Sequence, residues 1–173
     1  MTTFETKRHI EIHESYQGIN LTEFAIGVDD QIDNDQIVDT FVHSKQFSFD
    51  SLRNCVKSEP DKGYLRRAFD FDKVKISDFR KTDKDGASRF LFDFLNEPDW
   101  GDDRSEFTKL LDRYFEIHKQ SVDSDFYVIS KDWFDIDDEK AIEPESWCYT
   151  YYFLIISVDR NSNLLTLTEW TYD

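Results

Sequence analysis

The chain predicts an α+β fold: an antiparallel β-sheet with a helical hairpin packed on one face and the C-terminal β-hairpin central to the sheet. Three observations lead there. The stretch from Trp147 to Tyr172 holds two runs rich in aromatic and β-branched residues around Asp-Arg-Asn-Ser-Asn, a hairpin signature. The stretch from Thr82 to His118 holds two amphipathic helical patterns separated by a short acidic turn. Strand-like pieces lie on both sides of that helical pair, the order expected when helices pack on an antiparallel sheet.

At 173 residues, with five Gly, three Pro and no linker-like tract, the chain reads as a single domain spanning 1–173. Lys7 to Glu14 alternates, with Ile10 and Ile12 on one face and His9, Glu11 and His13 on the other. Tyr16-Gln17-Gly18 is a turn candidate, and a second strand follows from Ile19 to Val28 with Gly27 as a bulge. From Gln36 to Phe49 two periods compete. Ile37, Val38, Phe41 and Val42 have helical spacing, while Phe47 and Phe49 alternate. Asp50 or Ser51 is placed to cap a short helix carrying Leu52, Cys55 and Val56. Phe69, Phe71, Val74, Ile76 and Phe79 interleave with charges as two short strand-like pieces.

The helices are plainer. Ala87, Phe90, Leu91, Phe94 and Leu95 form one stripe, which stops before Glu97-Pro98 because a residue preceding proline avoids the helical region. Phe107, Leu110, Leu111, Tyr114, Phe115 and His118 form a second, with Asp103 and Glu106 in capping-box spacing at its start. Phe126 to Lys131 is a strand. The first run of the final hairpin is apolar at both parities, as a strand covered on both faces must be. The second alternates more cleanly, with Thr166, Thr168, Trp170 and Tyr172 on one parity, as a strand nearer an edge does.

The formal net charge is −16, and the acid is clustered. It gathers at 29–39, at 93–106 and at 132–145, while the stretch from Lys57 to Arg89 is locally basic. Such a surface repels nucleic acid and anionic membrane and attracts basic proteins. The N-terminus shows no basic-then-apolar signal pattern, no apolar run approaches the roughly 20 residues of a membrane span, and the two cysteines, Cys55 and Cys148, read as free thiols. The expectation is a cytoplasmic protein without cofactor or resident metal.

Motifs for chemistry are thin. There is no nucleophile elbow, phosphate-binding loop or dinucleotide fingerprint. Asp29 to Asp35 departs from a calcium loop, with Asn34 where Gly is required and Thr40 where a bidentate Glu is required. His9, Glu11 and His13 share a strand face, and Asp125 with Asp138 and Lys140 has the acid-x-Lys spacing of metal-dependent nucleases. A metal-dependent hydrolase is therefore the alternative from the enzyme class.

The leading expectation rests on aromatic rings set inside acidic loops. Trp100 lies beside Asp102 and Asp103, and Trp133 and Phe134 lie beside Asp135, Asp137, Asp138 and Glu139. A ring among carboxylates is the composition of an interface whose partner is basic: the ring anchors and the acids steer. The competing reading folds these rings back onto the core. The function expected is an acidic inhibitor, of the immunity type, that occludes the active site of a basic partner such as a nuclease toxin. A nucleic-acid mimic acting on a DNA-binding enzyme is its near variant.

Overall fold

The C-terminal hairpin organises the molecule. In the computed structural model, which describes residues 2–27, 31–48, 67–97, 103–119, 122–134, 142, 146 and 149–172, six strands form one antiparallel sheet. They are β1 (Thr3–Glu14), β2 (Gln17–Gly27), β3 (Arg80–Thr82), β4 (Asp125–Ser130), β5 (Tyr151–Asp159) and β6 (Leu164–Tyr172), in spatial order β1-β2-β6-β5-β4-β3. β5 and β6 are the two middle strands. β6 is thus no edge neighbour: its polar-looking parity is buried, because Thr166, Thr168 and Trp170 face a helical layer. Asp159 to Asn163 makes the turn, with Asn163 in the left-handed region at φ 52°.

Helices cover both faces, one more than the sequence pattern implies. On one side lie α3 (Lys84–Leu95) and α4 (Arg104–Ile117), the antiparallel pair expected, over Tyr151, Phe153, Ile155 and Trp170. On the other lie α1 (Asn34–Val42) and α2 (Lys45–Ser48), over Tyr152, Leu154, Ile156, Leu165 and Leu167. This is why β5 is apolar at both parities. Phe153 meets Phe90 edge-on at 5.2 Å, Phe94 at 5.1 Å and Trp170 stacked at 5.4 Å, so the first core is largely aromatic.

Local readings are corrected at several places. Phe47 lies in α2 and not in a strand, because its ring stacks on Phe71 at 4.5 Å beneath the helical layer. Of the strand-like pieces from Phe69 to Phe79, only an isolated bridge from Phe69 to Ile142 and a 3-10 turn at Ile76–Asp78 appear; burial of Phe69, Phe71, Val74 and Phe79 satisfies the apolar pattern without pairing. Gly27 pairs regularly with Thr3, and the bulge falls in β1 between Thr6 and Arg8. It switches β1 from Phe4 on the α1 side to Ile10 and Ile12 on the α4 side. The first turn is Ser15-Tyr16, with Ser15 at φ 53°, and Gln17 already pairs. The helix proposed around Cys55 lies outside the described residues.

Candidate functional site

Chain direction brings the described residues that flank both acidic stretches to one end of the sheet. α3 runs towards that end and finishes at Leu95, α4 begins there at Arg104, and Arg104 donates to the Asn96 side chain at 2.6 Å. β4 ends there at Ser130, opposite Phe153 near the start of β5. The β1–β2 turn and the C-terminal residue of β6 complete the end, since Gln17 is paired with both Glu14 and Tyr172. The residues bounding 98–102 and the residue preceding 135–141 therefore share this end. Trp100, Asp102, Asp135, Asp137, Asp138 and Glu139 themselves lie outside the described residues.

Three of the expected interface residues are described. Asp103 holds the end together: its carbonyl accepts from Gln17 Nε2 at 2.9 Å and its carboxylate accepts from the Tyr172 hydroxyl. That hydrogen bond to a carboxylate pushes the Tyr172 phenol up to about 12. The capping box expected from Asp103 and Glu106 does not form. Asp103 is already helical, with φ −74° and ψ −13°, and makes no side-chain cap, while Glu106 accepts from Ser15 Oγ at 2.6 Å. Gln17 also accepts from the buried Tyr151 hydroxyl at 2.8 Å, which ties the β1–β2 turn to the central strand.

Trp133 and Phe134 diverge. Trp133 leans on the α3 side, its ring 6.0 Å from Phe90 with the Arg80 guanidinium 3.6 Å above it. Phe134 leans to the opposite side, edge-on to Phe69 at 6.1 Å. Both are half-buried, so each offers a rim to solvent and not a whole ring. Among the described residues the most exposed aromatic at this end is Tyr16, 73% accessible at the tip of the first turn. Glu14 is its near neighbour in sequence, and the contacts of Ser15 with Glu106 and of Gln17 with Asp103 bring the start of α4 to the same turn. Around these residues Glu97 and Asp132 are exposed, and Lys131 pairs with Asp132 at 3.0 Å.

The residues of the enzyme alternative are differently placed. At the far end of the sheet Lys81 Nζ lies 2.7 Å from Asp35 and 3.1 Å from Asp125, and Asn34 donates to Asp125 at 2.9 Å. Asp35 also accepts from the Tyr127 hydroxyl at 2.5 Å. The hydrogen bond from Lys81 holds the Asp35 carboxyl below its usual range, and its reciprocal raises the Lys81 ammonium. The lysine thus takes the place between the carboxylates that a divalent cation would need, and it pins the start of α1 to edge strand β3. Asp138 and Lys140 lie outside the described residues. His9, Glu11 and His13 do share one face, with His9 Nε2 at 3.1 Å and His13 Nε2 at 4.0 Å from the Glu11 carboxylate. Among the described residues no group of three or more His, Cys, Asp or Glu side chains is arranged to hold a metal.

Of two buried polar groups, Glu169 was invisible in the sequence, while His118 closes the apolar stripe of α4. Glu169 points to the α1 side among apolar neighbours, receives Arg67 Nε at 3.1 Å, and accepts from the Tyr152 hydroxyl, whose ionisation burial pushes far up. On the opposite face Ser157 Oγ lies 3.1 Å from His118 Nε2. Burial holds the His118 imidazole down to about 4. An unfolded histidine takes up its proton near 6.5, so this group contributes stability that is whole above that pH and lost as pH falls towards 4. Between pH 7 and 4.5 the loss from His118 is about 2 to 3 kcal/mol. Urea unfolding of the protein and of His118→Gln at both pH values reads it: the parent should lose that much more than the variant. Equal losses would mean the buried imidazole does not set the acid sensitivity.

Among the described residues no helix is long and apolar enough to cross a membrane. Compared with protein-family models, with curated proteins and with solved structures, the chain matches none.

Proposed function

We propose that this protein is an acidic inhibitor of the immunity type, which neutralises a basic partner such as a nuclease toxin by covering its active site. The observation that supports this reading is that the described residues flanking both acidic stretches, Glu97 and Asp103 on one and Trp133 and Phe134 on the other, lie at one end of the six-stranded sheet. Carboxylates held by a preformed scaffold steer a basic partner and lose little entropy on binding. They also occupy positions on the partner that would otherwise meet phosphate. Tyr16 and the exposed rim of Trp133 are the apolar contacts at that end. Within this reading Asp103 is a positioning residue: it fastens α4 to the turn that carries Tyr16.

The test is capture of partners on tagged protein at low and high salt, followed by kinetics with the partner retained. Asp135→Asn, Asp137→Asn and Asp138→Asn together should slow association about tenfold or more at low salt and leave dissociation nearly unchanged, since charges outside the contact core act mainly on encounter. The same triple substitution should flatten the salt dependence of the association rate. A single basic protein that behaves this way supports the reading. Retention indifferent to salt and to these substitutions would overturn it.

A further inference from the structure

The sheet has two edges, and they differ. β3 is only three residues long, whereas β1 runs for twelve. The amide of Ile26 donates to Asn163 on the β6 side at 2.9 Å. In an antiparallel ladder successive residues turn their backbone groups to opposite sides, so the odd residues of β2 face β1. Their partners in β1, namely Glu5, Arg8, Ile10, Ile12 and Glu14, turn inward, and Phe4, Thr6, His9, Glu11 and His13 turn outward. Gln46 Nε2 donates to the Phe4 carbonyl at 3.3 Å, an independent sign that this carbonyl faces outward.

The two halves of this edge are treated differently. The first is blocked by Gln46 and by the bulge between Thr6 and Arg8. The second, Arg8 to Glu14, pairs regularly with β2, and among the described residues nothing reaches the outward backbone groups of His9, Glu11 and His13. The same segment carries the imidazole-carboxylate strip that the proposed function leaves unused.

We infer that the open half of β1 pairs antiparallel with β1 of a second copy, about a two-fold axis at Ile10, to make one continuous twelve-stranded sheet. Charge and burial select this occupant and this register. With the axis at Ile10, His9 of each copy stands opposite Glu11 of the other, so two imidazoles meet two carboxylates on one face. On the other face Ile10, half-buried in the monomer, meets its own symmetry mate. An axis at His9 sets imidazole against imidazole, and one at Glu11 sets carboxylate against carboxylate. An axis at Ile12 also sets Glu11 opposite His13, but it shortens the ladder, since β1 ends at Glu14, and it brings to the axis Ile12, which is already buried. The net charge of −16 opposes any self-association. The Debye length is about 8 Å at physiological salt, so added salt relieves that repulsion and strengthens the dimer. Binding of a basic partner responds in the opposite direction, which separates this edge from the acidic end of the sheet.

Sedimentation equilibrium of the full chain from about 1 µM to about 1 mM reads the association directly. The expected result is a monomer-dimer equilibrium that shifts towards dimer as salt rises. Glu11→Lys should weaken it about tenfold, and His9→Glu added to Glu11→Lys should restore it, since the double variant recreates opposite charges across the axis. In a Cys55→Ser, Cys148→Ser background, Ile10→Cys should form an intermolecular disulfide under oxidation, because facing non-hydrogen-bonded residues have Cα atoms about 4.5 Å apart. Ile12→Cys should not. A monomer at every concentration overturns the inference. So does a dimer that neither responds to Glu11→Lys nor crosslinks through Ile10→Cys. The crosslink remains decisive if the charge variant fails to fold.

Discussion

Glu169→Leu should destabilise the protein by about 4 kcal/mol, because it removes the carboxylate that pairs with a largely buried guanidinium and leaves a buried hydroxyl without its acceptor. Glu169 is 8% exposed in the middle strand β6, with Arg67 and the Tyr152 hydroxyl both directed at it. Arg67 has further roles that soften the effect of removing it alone: it donates to the Phe47 carbonyl at 3.3 Å and lies 4.0 Å above the Phe71 ring. Glu169→Gln keeps an acceptor for the tyrosine and loses only the charge, so a smaller loss of about 2 kcal/mol is expected. The double variant Arg67→Met, Glu169→Leu should recover part of what Glu169→Leu loses, since replacing both members of a buried pair by apolar groups avoids the stranded charge. Urea denaturation of the four proteins gives the coupling energy. If the losses from Arg67→Met and Glu169→Leu simply add, the pair is not the interaction that geometry describes.

The second large effect falls on the opposite face. Trp170 is fully buried, stacked on Phe153 at 5.4 Å and packed against Phe107 at 5.2 Å and Tyr114 at 5.3 Å. Trp170→Ala should lose about 4 kcal/mol through the cavity left among these rings. Trp170→Phe should lie within about 1 kcal/mol of the parent, because the indole N–H is buried without an acceptor among the described residues. Removing that donor offsets much of the lost area. The contrast between the two variants in denaturant midpoint checks both statements: a severe loss in the phenylalanine variant would mean that the indole nitrogen is satisfied after all.

The expected interface was legible only as composition. Carboxylates around Trp100 and around Trp133 could be read along the chain, but that the described residues flanking them share one end of the sheet depends on strand and helix direction. Asp103 illustrates the gap. Its spacing to Glu106 matches a capping box, yet the Tyr172 hydroxyl claims its carboxylate and Ser15 claims Glu106, from segments far away in sequence. Trp133 illustrates another. A ring flanked by acids reads either as an exposed anchor or as a ring folded back onto the core, and Arg80 and Phe90 hold it half-buried between the two. Glu169 gave no signal at all, since one acid within an alternating strand looks like any solvent-facing residue. Its partner, Arg67, lies about a hundred residues earlier in the chain.

Much of the fold needed no tertiary information. Periodicity alone determined α3, α4, β4 and the C-terminal hairpin, because burial on one helical face or on two sheet faces leaves a repeat of 3.6 or 2 residues in the chain itself. The double-sided apolar character of β5 even determined that it is central. Only the tertiary structure decided that both faces of β6 are buried, that a second helical layer covers the other face, and that, among the described residues, one half of the β1 edge is blocked and nothing reaches the other. Those outcomes turn on which distant segments meet. A threonine or glutamate on a strand becomes interior when another layer supplies its cover or its counter-charge, and nothing local in the sequence records that.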